Sequence, residues 1–108
     1  MRYMMLICGC ENLEVSPEDA DPTAWVTEME RRGVRLQGSR LRPVSDATTV
    51  RARGDEVLLS DGPFAETKEQ VGGFDIIECA DLDEAIEIAS AHPVARFGSI
   101  ELRPLWEE

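Results

Sequence analysis

Histidine and lysine are almost missing from this chain, with His92 and Lys68 the only one of each among 108 residues. A single histidine excludes a metal site built on paired imidazoles, and no Gly-rich phosphate loop or Ser-His-Asp pattern is found. Positive charge is scarce altogether. Eleven basic residues face 22 acidic ones, for a formal net charge of −11. Such an excess repels phosphate backbones, so no nucleic-acid partner is expected. Three cysteines, Cys8, Cys10 and Cys79, form an odd set without a disulfide framework. Cys8-Gly9-Cys10 brings two thiols but too few further ligands for a structural zinc, so free, half-buried thiols are expected. Apolar runs are short. None approaches the ~20 residues that span a bilayer, and the opening run is too brief for a secretory signal. A soluble protein of the reducing cytoplasm follows, with no metal, cofactor or membrane partner expected.

What is present fits a globular fold. The chain is 43% hydrophobic and 31% charged, which sets it apart from disordered sequences. Its length suits one domain, 1–108. Residues 3–8 are continuously apolar, as in a central strand buried on both faces. Asp21-Pro22 starts a helix over 22–32 with a stripe of Trp25, Val26 and Met29, and Gly33 ends it. A strand is expected at 34–38, followed by a loop. The β-branched run 48–53, Gly54-Asp55 and 56–60 read as a hairpin. The stretch 61–73 is irregular, with one helical turn near 66–70. A strand follows at 74–79. Asp81 and Glu84 form a capping box for a second helix, whose apolar face is Leu82, Ala85, Ile86 and Ala89. A last strand occupies 99–105. The order β-α-β-β-β-β-α-β makes an α+β fold, a ferredoxin-like split βαβ with an added hairpin strand.

Two helices of about ten residues, each ~15 Å long, cover only one face of such a sheet. Yet Tyr3, Met5 and Ile7 alternate with Met4, Leu6 and Cys8, and Phe74 and Ile76 alternate with Ile77 and Cys79. A bare apolar sheet face is rare on a monomer, so a homodimer through the sheet faces is expected. The alternative is that the loops 11–21 and 41–47 fold over that face.

The most distinctive segment runs from Asp61-Gly62-Pro63-Phe64 through Glu66-Thr67-Lys68-Glu69 to Gly72-Gly73. With Asp83-Glu84-Ala85, His92-Pro93 and Glu101-Leu102-Arg103-Pro104, it resembles the YCII-related (DGPF-domain) family over nearly the whole chain. The resemblance implies a dimeric α+β barrel. It also implies relatives that include a dehydrochlorinase-like enzyme and proteins with a His/Asp pair in a pocket. Association with sigma factors is a further implication, by family analogy alone. Enzyme-like relatives keep a histidine on the first helix, where this chain has Ala24-Trp25-Val26. Their Asp-Pro after the second helix is His92-Pro93 here.

Each candidate residue has two readings. His92 is either a general base oriented by Asp61, or a helix-end residue that caps carbonyls and meets the dipole. Asp61 is either a pocket carboxylate or the acceptor of an Asx-turn. Trp25 is either an aromatic wall for a ligand, in place of the relatives' histidine, or core filling. Phe64 is either a ligand contact or a core plug. Arg103 either meets a ligand carboxylate or pairs with Glu101 across strands. Glu66 and Glu69 read as solvated charges with Lys68 as a local partner. Two functions stand side by side: a small-ligand-binding or regulatory dimer, and a small acid–base enzyme of lyase type using His92 and Asp61. The missing helix-one histidine favours the first.

Overall fold

The structure, a computed structural model, describes residues 1–9, 15–65 and 67–107. Cys10 and Glu66, which figured in the thiol and helix-turn expectations, lie outside these. Four strands form one antiparallel sheet: β1 (Arg2–Gly9), β2 (Arg35–Arg40), β5 (Gln70–Glu78) and β6 (Ser99–Pro104), in the order β2-β5-β1-β6. That order, with helices between β1 and β2 and between β5 and β6, is consistent with a ferredoxin-like fold. The hairpin of β3 (Thr48–Arg53) and β4 (Glu56–Asp61) adds no strand to it. It forms its own two-stranded ribbon, turned at Gly54 with φ of 60°. The ribbon packs mainly on itself. The radius of gyration is accordingly 15.8 Å, against about 13 Å for a compact chain of this length.

Local chemistry accounts for the helices. Asp21 Oδ1 accepts from Thr23 N–H at 2.9 Å and from its hydroxyl at 2.6 Å, which fixes the start of α2 (Thr23–Arg31). Gly33, with φ of 71°, ends it, and Val34 N–H returns to the Met29 carbonyl. Before α2 lies a one-turn helix, α1 (Pro17–Ala20), capped by Ser16. At α3 (Leu82–Ser90) Asp81 accepts from Glu84 N–H, while the Glu84 carboxylate takes Ala80 N–H rather than the cap's own. A 3₁₀ turn, Pro93–Arg96, then leads into β6. No helical turn forms at 67–69; residues 68 and 69 bend, and β5 begins at Gln70. Gln70 holds the bend through its side-chain N–H₂, which bonds the carbonyls of Ala65 and Thr67.

The helices cover one face of the sheet. Tyr3, Met5, Ile7 and Ile77 meet Trp25 and Met29 of α2 and Ala85, Ile88 and Ala89 of α3. The α3 stripe is rotated from the expected one, since Ile88 is fully buried while Leu82 and Ile86 stay exposed. The other face carries Met4, Leu6, Phe74 and Ile76, all partly exposed. β1 is therefore central but buried on one face only.

Candidate functional site

A cavity of about 760 Å³ opens where the helix layer meets the ends of β1 and β5. Small-ligand sites fall in the range of roughly 300–1,000 Å³. Ile7, Val26, Val94 and Phe97 supply its apolar lining. Arg35, Asp75 and His92 supply the polar groups that lie deepest.

Asp75 sits on the helix-facing side of β5, between Gly73 and Ile77, where the pattern otherwise places apolar side chains. It is 6% exposed. Its Oδ1 accepts from Arg35 Nε at 2.7 Å, and Arg35 Nη1 reaches Glu30 Oε1 at 2.8 Å. Burial pushes the Asp75 carboxyl above the usual carboxylate range, and the Arg35 guanidinium pulls against that. Gly38, opposite Asp75 on β2, makes the arrangement possible. A Cβ there would collide with the Asp75 carboxylate and the Arg35 guanidinium, and would lie 2.8 Å from the Phe74 carbonyl. Neither Arg35 nor Asp75 was singled out from the sequence. The available signal was a lone charge within the apolar run Phe74-Asp75-Ile76-Ile77, at the parity of Ile77.

His92 is 4% exposed. Its Nδ1 accepts from Val94 N–H at 3.1 Å, so the side chain caps the 3₁₀ turn that follows rather than the carbonyls of α3. Burial lowers its pKa from 6.5 to about 4. At neutral pH the imidazole is uncharged and has no favourable charge to offer the helix dipole. With Nδ1 accepting, the ring proton resides on Nε2.

Trp25 is buried against His92, with ring centroids 4.8 Å apart at 63°, and donates from Nε1 to the Ile88 carbonyl at 2.9 Å. It stands behind His92 and is not itself part of the cavity wall.

Asp61 ends β4, opposite Thr48, and is exposed on the hairpin away from the cavity. Its turn is closed by Gly62 N–H to the Ala47 carbonyl at 2.7 Å and by the Thr49 hydroxyl to Gly62. Gly62 has φ of 95°. Among the described residues the Asp61 carboxylate makes no hydrogen bond, so it closes no Asx-turn. Phe64 is 82% exposed. That corrects the core-plug reading: the hairpin stands off the sheet and offers Phe64 nothing to fill. Arg103 pairs with Glu101 at 2.5 Å along one strand rather than across two, on the sheet face opposite the cavity. Glu69 accepts from the Ser99 hydroxyl at 2.6 Å. The Cys8 thiol borders the cavity, and burial pushes its pKa up, with Glu101 and Glu69 adding to the shift. It is not an activated thiolate. Among the described residues no group of acidic, cysteine or histidine side chains could hold a metal ion. No helix among them is long and apolar enough to cross a membrane.

The fold and cavity define an α+β protein with one helix-covered sheet face and a cleft lined by a buried carboxylate and a neutral imidazole. By sequence, the YCII-related domain matches residues 1–108, and the chain belongs to that family. An uncharacterized protein of Rhizobium meliloti (strain 1021) is 49% identical over 71 residues, which make up 62% of this chain and 56% of that relative. The match thus spans little more than half of the relative's length.

Proposed function

We propose that this protein is a dimeric small-ligand-binding or regulatory domain whose ligand occupies the cleft between α2, the turn after α3 and the sheet. The observation that carries this reading is the cavity of about 760 Å³ in which apolar walls surround two buried polar side chains, Asp75 and His92. A few placed polar groups in an apolar concavity are what small-molecule sites require. The acid–base alternative draws less support. Asp61 lies on the hairpin and does not line the cavity, and His92 in this tautomer offers a donor at Nε2 rather than a base.

The second copy covers the open sheet face. There Met4, Leu6, Phe74 and Ile76 form an apolar centre. Arg2 pairs with Glu78 at 3.6 Å and Arg103 with Glu101 at 2.5 Å on the same face. On a chain of net charge −11 this patch is locally neutral, so two copies can meet there without repulsion. The hairpin supports an assembly too, since Val50, Val57 and Leu59 are exposed along it.

Sedimentation tests the dimer: twice 12.0 kDa is expected for the native chain, and a folded monomer for Leu6→Arg. A native monomer at micromolar concentration overturns it. A fragment screen followed by methyl NMR tests the cleft. Perturbations should gather at Ile7, Val26 and Val94, and hits that gather elsewhere reject the site.

A further inference from the structure

We propose that the cleft's ligand is a small uncharged molecule of the carboxamide type, with an apolar body and both a hydrogen-bond donor and an acceptor. This rests on the ligand-binding reading above and specifies its chemistry. Two polar atoms of the buried side chains are left unused. Asp75 accepts from Arg35 at Oδ1, and its Oδ2 makes no hydrogen bond among the described residues. His92 accepts from Val94 at Nδ1, and its Nε2 has no partner among them either. Both side chains are more than nine-tenths buried, at 6% and 4% exposure. Even so, among the described residues no side-chain nitrogen or oxygen is both sealed from solvent and unpartnered. Each of the two atoms therefore keeps an opening, and the cavity is the space that both residues line.

Asp75 Oδ2 is an acceptor and His92 Nε2–H is a donor. A ligand that fills the cavity without leaving either one unpaired must bring the complement of each, a donor and an acceptor. The charge balance sets the ligand's own charge. Among the residues lining the cavity, Arg35 and Arg40 offset Asp21 and Asp75. With the lining formally neutral, an ionic ligand would bring a net charge into the cleft, and burying such a charge is costly. Ile7, Val26, Val94 and Phe97 supply the surface for an apolar body. A primary carboxamide on a ring or short chain meets all three conditions.

The test uses the native protein and four probes of similar size: benzamide, benzoate, benzylammonium and toluene. His92 is the only histidine, so its ring signals in proton–nitrogen NMR report the cleft without ambiguity. Benzamide should shift them saturably, with nuclear Overhauser contacts to the methyls of Val26 and Val94. Its Kd should be at least about tenfold lower than those of the other three, because each of them leaves a buried polar group unmatched. Toluene binding as tightly as benzamide would overturn the role of the polar pair. Tighter binding of benzoate or benzylammonium would overturn the uncharged ligand. In both cases the cleft would stand as a binding site. If none of the four shifts His92 at millimolar concentration, the proposal and the cleft reading fail together.

Discussion

Trp25 and His92 meet edge to face, with centroids 4.8 Å apart, and the two rings carry opposite hydrogen-bonding duties. Trp25 donates inward to the Ile88 carbonyl, whereas His92 accepts from Val94 N–H and its Nε2 has no partner among the described residues. The contact ties α2 to the turn after α3 at the back of the cleft. Burial there disfavours the protonated form of the imidazole.

That burial makes stability depend on pH. His92 titrates at about 4 in the folded protein rather than 6.5. Between those values the unfolded chain binds more protons than the native one, so stability rises with pH through this window. It is full above pH 6.5 and is lost as pH falls toward 4, by a total on the order of 3 kcal/mol. Asp75, whose carboxyl is pushed up by burial, acts with the opposite sign above its unfolded value. Urea denaturation at pH 4.5, 5.5 and 7, at one fixed protein concentration, should show the loss. In His92→Asn the dependence should flatten. A native profile that is already flat would refute the assignment.

Gly38→Ala should destabilise the protein by about 1–3 kcal/mol, because the new Cβ collides with the Asp75–Arg35 pair and the β5 backbone. Gly72→Ala is the control. There the nearest atom to a new Cβ is the Ile7 carbonyl oxygen at 3.9 Å, so the midpoint should hardly move. Equal effects at the two sites would mean that strand propensity, not the buried pair, governs the change.

Asp61→Ala should change stability by less than ~0.5 kcal/mol, as at an ordinary surface site. The backbone of Gly62 and the Thr49 hydroxyl already hold the turn. A loss near 1 kcal/mol in chemical denaturation would restore a capping role for the carboxylate.

The strands and helices were legible because each had local causes. Asp21 before Thr23, Gly33 after the stripe, Asp81 with Glu84, and Gly54-Asp55 between β-branched runs all act within a few residues. The alternation along β1 and β5 likewise showed that two faces were apolar. What stayed hidden depended on distant parts of the chain. Asp75 meets Arg35 only after β2 pairs with β5, 40 residues apart in sequence. Whether a hairpin joins a sheet or stands off it is set by packing, so the exposure of Phe64 and the isolation of Asp61 could not be read from Asp-Gly-Pro-Phe. His92 was found because it was alone. Its role was not, because the choice between donor and base rests on a single backbone N–H two residues ahead.

Trp25→Phe tests whether the indole shields His92 as well as filling core volume. The change removes the bond from Nε1 to the Ile88 carbonyl and part of a large buried ring. The carbonyl keeps a second donor, Ala91 N–H at 3.3 Å, so it is not orphaned. The loss should therefore be about 1–2 kcal/mol, less than the 3–5 kcal/mol typical of truncation to alanine. If Trp25 only fills volume, the effect ends there. If it also walls off His92, the smaller ring admits water beside the imidazole and eases its protonation. The histidine pKa should then climb from about 4 toward 6.5. Proton NMR titration of the only histidine reads this directly, with stability followed in parallel by denaturation. A midpoint that falls while the histidine still titrates near 4 would assign Trp25 to the core alone.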